Sequence, residues 1–587
     1  MVDLKINGKN VTVPERTTIL EAAKSVGVHI PSLCYLEHKA PLGACRVCIV
    51  EVEGARNLMP SCATPVVHGM VVKTNSPRVR QARKLVTELL LSEHEGNCQY
   101  CSRSEDCELE TISTQLGITC LPYQGEKPDR IFDCTTPALE RDTGKCIKCR
   151  RCVTVCNEVQ NVGALFPQFR GYQTTVGPAF TQPLSEVKCV QCGQCAAVCP
   201  VGAIVETSHI DAVWNALGDP KKHVIVQTAP AIRAALGECF GLAPGTLVTG
   251  KMVTALREMG FDAVFDTNFT ADLTIMEEGT ELLTRLKTAL VDKKPVALPM
   301  FTSCSPGWIN YAEGFFPDFL PNLSSCKSPQ QMFGALAKTY YAERAGVDPA
   351  DMVVVSVMPC TAKKFEAQRP EMNDSGFADV DYVLTTRELG RMIKSAGLIF
   401  TDLEDGVMDD PMGRSSGAAD IFANTGGVME AAVRTAYELV TGREVPLNNL
   451  HLTPVAGLEG VKEAALAITD PLPDWKFLDG VELKVAVAHG LGNAASVLKG
   501  LRDGSRSYHF VEIMTCPGGC IGGGGQPRFT ENKTREARIA AIYREDEGKE
   551  IRKSHLNSAV LELYEHFLDK PLGEISHHLL HTHYNMK

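Results

Sequence analysis

The stretch IMTCPGGCIGGGGQP, Ile513 to Pro527, holds two cysteines, Cys516 and Cys520, among six glycines. Two thiolates four residues apart can ligate one metal centre. Neighbours without side chains leave room for close approach and permit φ > 0. A phosphate-cradling loop is the competing reading, but no Lys-Ser/Thr follows the glycines. The chain has 23 cysteines in 587 residues. Most crowd at spacings too short for a disulfide framework, which favours metal or cluster ligation in a reducing cytoplasmic compartment.

Four further groups have ligand spacing. Cys34, Cys45, Cys48 and Cys62 follow C-x10-C-x2-C-x13-C; four such thiolates suit a [2Fe–2S] cluster, and also tetrahedral zinc. His94, Cys98, Cys101 and Cys107 read H-x3-C-x2-C-x5-C. A neutral imidazole in place of one thiolate changes the charge of a cluster and hence its potential. Cys146, Cys149, Cys152 and Cys156 repeat as Cys189, Cys192, Cys195 and Cys199, each C-x2-C-x2-C-x3-C, the second ending in Pro200. This is the two-cluster ferredoxin run, whose fourth cysteine ligates the other cluster. It pairs Cys146, Cys149 and Cys152 with Cys199, and Cys189, Cys192 and Cys195 with Cys156. Cys120, Cys134, Cys239 and Cys326 have no motif partner and read as small hydrophobes.

Elements must position these groups. LKINGKNVTV alternates around Asn7-Gly8, a hairpin signal, and TTILEAAKSVG reads as a short helix from a Thr cap to Gly27. Ser76 and Pro77 open a second helix ending near His94. Beyond residue 215 the text becomes α/β. The runs 223–230, 295–308, 352–366 and 508–520 read as strands of an open sheet whose carboxyl ends bring Cys304, Cys360, Cys516 and Cys520 together. TADLTIMEEGTELLTRL predicts a helix from about Ala271, with Glu278, Glu281 and Arg285 on one face; a solvated charged face is the plain alternative.

Lys+Arg 59 against Asp+Glu 70 gives a net charge of −11, which argues against a nucleic-acid partner. No window approaches eighteen uninterrupted apolar residues, so no membrane span is expected. MVDLKINGKNVTV lacks the apolar core of a secretory signal.

TSCSPGW, MPCTAKKFE and EIMTCPGGCIGGGGQP resemble the three signature segments of [FeFe]-hydrogenases. The upstream cysteine region is similar to that of the long, multi-cluster members, so the resemblance spans nearly the whole chain. It implies a multidomain α+β and α/β protein. Residues 1–78 would form a β-grasp [2Fe–2S] domain, 79–125 a His/Cys3 [4Fe–4S] segment and 135–212 a two-[4Fe–4S] domain. Residues 220–530 would form the catalytic H-cluster domain, completed by a helical segment at 531–587.

The implied H-cluster is a [4Fe–4S] cubane joined to a diiron unit with CO, cyanide and a dithiolate. It would be accompanied by three [4Fe–4S] clusters and one [2Fe–2S] cluster. By resemblance Cys520 is the bridging thiolate, and Cys516 and Cys360 are cubane ligands. Lys363 and the backbone of Ala229 and Pro230 meet the cyanides, and Met358 and Met514 pack on the cluster. Ala231 stands where some relatives carry a polar residue.

The implied proton route runs through Arg285 and Glu281, Ser324, Glu278 and Cys304. Family members usually carry two adjacent cysteines in the first segment; here Cys304 is followed by Ser305. The cubane's fourth position could be filled by Ser305, by a shifted Cys304, or by neither. The implied activity is reversible H2 oxidation. Its implied partners are ferredoxin, a flavoprotein NAD(P)-binding subunit of an electron-bifurcating complex, a small iron–sulfur subunit and hydrogenase maturation proteins. The alternatives are a non-catalytic iron–sulfur protein of cluster assembly, an H2 sensor, for which no output segment is left over, and a respiratory iron–sulfur subunit.

Overall fold

A computed structural model describes all residues except 124–126, 128, 448–449, 453–456 and 529. The expected boundary at residue 125 lies outside the described residues. The chain opens with the hairpin Val2–Ile6 and Lys9–Val13, closed by Asn7 and Gly8 at φ of 49° and 83°. These left-handed angles match the twist of the flanking strands. Thr18 caps the helix Ile19–Ser25 in a reciprocal box with Glu21. A five-stranded sheet carries this helix and the loops of the first four cysteines.

Ser76 caps the helix Pro77–Glu93, and His94 is its C-terminal cap. Arg83 of this helix is buried because three carbonyls take its guanidinium: Val47 at 2.9 Å, Ile49 at 3.0 Å and Thr74 at 3.3 Å. It therefore ties the helix to the first domain.

Within the ferredoxin-like repeat the backbone repeats as well as the sequence. Lys148 and Arg150 adopt φ of 57° and 65°, and Gln191 and Gly193, at the same offsets, 57° and 69°. Left-handed residues are uncommon outside glycine. Here they turn each loop around its sulfurs, and Lys148 N donates to Cys146 Sγ at 3.4 Å.

The region beyond residue 215 holds two four-stranded sheets. One orders Ala263–Asp266, His223–Thr228, Met352–Met358 and Tyr382–Thr385, all parallel. The other orders Met300–Phe301, Phe510–Met514, Glu482–His489 and Val461–Ala467, the last antiparallel. Only two residues of the 295–308 run pair as a strand, since Pro295 and Pro299 cannot donate to a ladder. The carboxyl ends of strands from both sheets carry the candidate site.

The helix expected from Ala271 runs from Thr267 to Leu290, four residues earlier, because the Asp266 carboxylate accepts from Asn268 N at 3.0 Å. Most of it is buried, including Glu277, Glu278 and Glu281. After the helices Asn532–Gly548, Ser558–Leu563 and Glu574–Leu580, the chain end pairs with residues 325–327 through Lys327 N to Leu580 O and Thr582 N to Ser325 O. Among the described residues no helix is long and apolar enough to cross a membrane.

Candidate active site and cluster sites

Strand ends deliver the central cysteines. Met358 ends one strand and Cys360 follows; Met514 ends another and Cys516 and Cys520 follow. All three thiols are driven upward by burial, Cys520 to about 12, and Cys360 further raises both Cys516 and Cys520. Such thiols do not ionise readily as a bare set. A cluster that accepts their charge removes the penalty, which is the chemistry this donor set fits.

The glycine run has a steric reason. A Cβ at Gly523 would sit 2.2 Å from Pro359 O, and one at Gly524 2.2 Å from Cys192 O. The run thus lies against the Cys360 loop on one side and the second ferredoxin-like loop on the other. Gln194 Nε2 donates to Gly522 O at 2.9 Å, and Thr361 Oγ1 donates to Gln191 O at 2.8 Å. Cys192 and Cys516 lie close enough for a thiolate at Cys516 to raise the Cys192 thiol.

Burial raises the Cys304 thiol well above the usual range, and its neighbours Glu278 and Cys520 add to the rise. Lys363 Nζ donates to Cys304 O at 3.1 Å and to Glu366 Oε2 at 2.8 Å. Ser305 Oγ lies 2.8 Å from Thr515 Oγ1 and accepts from Thr515 N at 3.4 Å, beside Cys516 in the chain. Ala229, Pro230, Ala231, Met358 and Met514 are all buried, and Ala229 N donates to Val357 O at 3.0 Å.

The charged face of the long helix is buried rather than solvated. Arg285 Nη2 donates to Glu281 Oε1 at 2.6 Å. Ser324 Oγ donates to Glu281 Oε2 at 2.8 Å. Glu278 is pushed up to about 8, first by burial and then by Glu281, against a hydrogen bond from Ser324. The arrangement strings Arg285, Glu281, Ser324, Glu278 and Cys304 from the half-buried guanidinium inward.

The accessory sulfurs also assemble. Cys34 is lowered first by Cys45 and then by Cys62, and Cys48 is lowered by Cys62, so the first four thiols share one place. Burial raises Cys152, and Cys149, Cys146 and Cys199 raise it further. Burial likewise raises Cys195, followed by Cys189 and Cys156. The thiols of both runs therefore lie close together, Cys199 near Cys146, Cys149 and Cys152, and Cys156 near Cys189 and Cys195. His94 Nδ1 lies 2.9 Å from Lys145 O, which leaves Nε2 for a metal. Cys107 Sγ lies 3.7 Å from Pro200 O, and a Cβ on Gly202 would meet Cys101 Sγ at 2.7 Å. Both outer groups therefore adjoin the Cys199 half of the repeat, with Leu33, Cys34, Cys45, Cys107, Cys149 and Cys199 in one packed cluster.

Sequence reasoning missed several residues. Glu512 is fully buried in its strand, raised to about 7 by burial, and accepts from Gly426 N at 2.6 Å and Met429 N at 2.8 Å. Its signal was a lone carboxylate inside FVEIM. Gln194 and Thr361 had none. Cys120 and Cys134 are exposed, which corrects their reading as small hydrophobes: they sit in loops with no packed neighbour face.

Residues 222–524 match the family described as iron only hydrogenase large subunit, C-terminal domain, and 532–587 match iron hydrogenase small subunit. Residues 1–77 match a 2Fe-2S iron-sulfur cluster binding domain, 83–120 the NADH-ubiquinone oxidoreductase-G iron-sulfur binding region, and 145–203 a 4Fe-4S dicluster domain. The chain is 52% identical over 590 residues to the NADP-reducing hydrogenase subunit HndD of Solidesulfovibrio fructosivorans, covering 100% of this chain and 99% of the relative. It is 41% identical to iron hydrogenase 1 of Clostridium pasteurianum, covering 100% of both. A solved structure of a variant of apo [FeFe]-hydrogenase HydA1 from Chlamydomonas reinhardtii superposes with a TM-score of 0.58 at 46% identity, over 65% of this chain and 99% of that one.

Proposed function

The chain belongs to the iron-only, or [FeFe], hydrogenase family, and on that premise we propose how its own residues hold the cofactors, move protons and pass electrons. It is an oxidoreductase acting on H2, H2 ⇌ 2 H⁺ + 2 e⁻, with an H-cluster, [2Fe–2S] and [4Fe–4S] cofactors. An H-cluster held between the two sheets' strand ends would supply the redox chemistry of H2 splitting.

Cys360, Cys516 and Cys520 would hold it. Lys363, pinned by Glu366 and the Cys304 carbonyl, presents its ammonium to the anionic ligands, together with the backbone of Ala229 and Pro230. Met358 and Met514 fill the wall with adaptable side chains and exclude water.

Cys304 is the proton relay next to the cofactor, and Ser305 stays a neutral hydroxyl paired with Thr515. Protons pass between Cys304, Glu278, Ser324 and Glu281, and Arg285 orients Glu281 at the outer end. The observation that carries this reading is Glu278: it is buried, it is raised to about 8, and it stands between Cys304 and Ser324. A carboxyl so tuned gives and takes a proton near neutrality.

Cys189, Cys192, Cys195 and Cys156 would hold the accessory cluster beside Cys516, and Cys146, Cys149, Cys152 and Cys199 the next. His94, Cys98, Cys101 and Cys107 would hold a third, and Cys34, Cys45, Cys48 and Cys62 a fourth, the set supplying electron transfer to the outer surface. The count is then three accessory [4Fe–4S] clusters and one [2Fe–2S]. The functional units follow the boundaries 1–78, 79–125, 135–212, 220–530 and 531–587. Two outer ports suit two carriers: a ferredoxin and a flavoprotein subunit that handles NAD(P). The likeness to a subunit of an NADP-reducing hydrogenase supports a multisubunit assembly. The free thiols suit a reducing cytoplasm.

Matured protein bearing Cys304→Ala tests the reading. Turnover of H2 with a viologen dye should be lost while the infrared bands of CO and cyanide persist. Full turnover in that variant would remove Cys304 from the route.

A further inference from the structure

Cys326 is used by neither the wire nor the proton route. It does not stand alone, however. One donor atom each from Glu281, Cys326 and His581 lies within 4.8 Å of the other two, and all three residues are buried. They come from the long helix, from the turn after Ser325 and from the chain end, and the bridge between Cys326 and His581 pins the last two together. Cys326 Sγ is 4.0 Å from His581 Nδ1. Ser325 Oγ stands among them, 2.8 Å from Nδ1 and 3.3 Å from Glu281 Oε2.

The surroundings orient these groups. His581 Nε2 is 3.2 Å from Glu277 Oε2, and Glu277 also accepts from Tyr564 Oη at 2.6 Å and Leu572 N at 2.8 Å. A carboxylate so supplied with donors holds the ring proton on Nε2, leaving the Nδ1 lone pair aimed at the pocket. This is the carboxylate–histidine arrangement of metal sites. Arg285 donates to Glu281 Oε1, and Oε2 accepts from Ser324 Oγ at 2.8 Å, Ser325 N at 3.1 Å and Ser325 Oγ at 3.3 Å, of which the two hydroxyls can give way to an ion. Glu278, buried nearby, has an oxygen without a partner. Glu277 and Glu281, one helical turn apart, make the pocket electronegative.

We propose that Glu281, Cys326 and His581 form a binding site for Zn²⁺, and that its occupation stops proton movement through Glu281. The donor set is one carboxylate oxygen, one sulfur and one imidazole nitrogen, the mixture that a borderline-soft divalent ion takes in tetrahedral sites with an open fourth position. Metal–ligand distances of about 2.0 to 2.3 Å require the Cys326–His581 gap to close by a few tenths of an ångström. Binding replaces the S–H bond of Cys326 by an S–Zn bond and releases one proton to solvent, with no redox change. Carboxylate and thiolate then cancel the ion's charge, as a buried site requires. Blocking follows because Oε2 is the atom that accepts from Ser324. That consequence, unlike the site itself, rests on the proton route proposed above.

The test uses the matured holoenzyme with one equivalent of Zn²⁺, read by zinc K-edge X-ray absorption and by H2 uptake. Wild type should show one sulfur at about 2.3 Å and nitrogen or oxygen ligands. Cys326→Ser should lose the sulfur at unchanged iron content, and His581→Gln should weaken zinc affinity by about 10- to 100-fold. Zinc should slow wild-type turnover by about tenfold or more, on the scale of a lost proton-transfer group, and should leave the Cys326→Ser rate largely unaffected by the ion. Zinc bound without sulfur in wild type, or a sulfur signal that survives Cys326→Ser, overturns the site. A sulfur signal that is lost in the variant, with wild-type turnover untouched by zinc, keeps the site and removes Glu281 from the route.

Discussion

The cysteine-rich third of the molecule and the long buried helix solve two transport problems in different ways. The electron side is built from local loops. Each C-x2-C turn folds around its own sulfurs, with left-handed residues at matching offsets in both repeats. The proton side is built from distant pieces: a helix, the turn at Ser324 and the strand end at Cys304. Electrons tunnel between clusters, so ligand sets need only stand near one another. Protons need consecutive hydrogen-bonding groups, so a single misplaced side chain breaks the path. The electron side should therefore degrade gradually under mutation and the proton side abruptly.

The largest effect is expected where the two sides meet. Cys516→Ala removes a ligand of the central cubane and a neighbour of Cys192. Turnover should vanish and the iron content should fall by the central cluster, measured by iron analysis and EPR. Next comes Glu278→Gln, which keeps the shape but not the exchangeable acid. H2 turnover should fall by about 10²- to 10⁴-fold with every cluster signal unchanged; loss of cluster signals as well would erase the distinction between the sides.

A smaller effect concerns pH. With Glu278 pushed up to about 8 by burial and by Glu281, it is protonated below that value and ionised above it. H2 evolution, which needs the protonated donor, should decline as pH rises through about 8. H2 uptake, which needs the ionised acceptor, should rise through the same value. Both limbs should disappear in Glu278→Gln. The smallest effect is expected at the outer port. His94→Cys adds a thiolate's charge and should shift that cluster to a more negative potential in an EPR-monitored titration. Dye-linked turnover at the central site should stay near its normal rate.

Legibility follows the same divide. Cys146 to Cys199 could be read directly because their spacing is the ligand geometry, and the fold gathers their thiols in one region. The hairpin at Asn7-Gly8 and the caps at Thr18 and Ser76 were legible for the same local reason. The helix start at Thr267 was not, since Asp266 caps it from inside a strand–helix junction. Two sheets could not be told from one, because strand runs carry no record of their neighbours. Glu278 and Glu281 looked like a solvated face by composition; only the resemblance placed them inside, and burial is what gives them their chemistry. Cys326 and His581 lie 255 residues apart, a separation across which spacing says nothing.

The central claim is that Cys360, Cys516 and Cys520 hold an H-cluster in this chain, with Cys304 outside its ligand set. Infrared spectroscopy of the matured protein under H2 and under CO addresses it most directly. The expected result is a set of CO and cyanide bands that shift between the two gases and survive in Cys304→Ala. Matured protein without such bands, or bands that vanish when Cys304 alone is changed, would contradict the account.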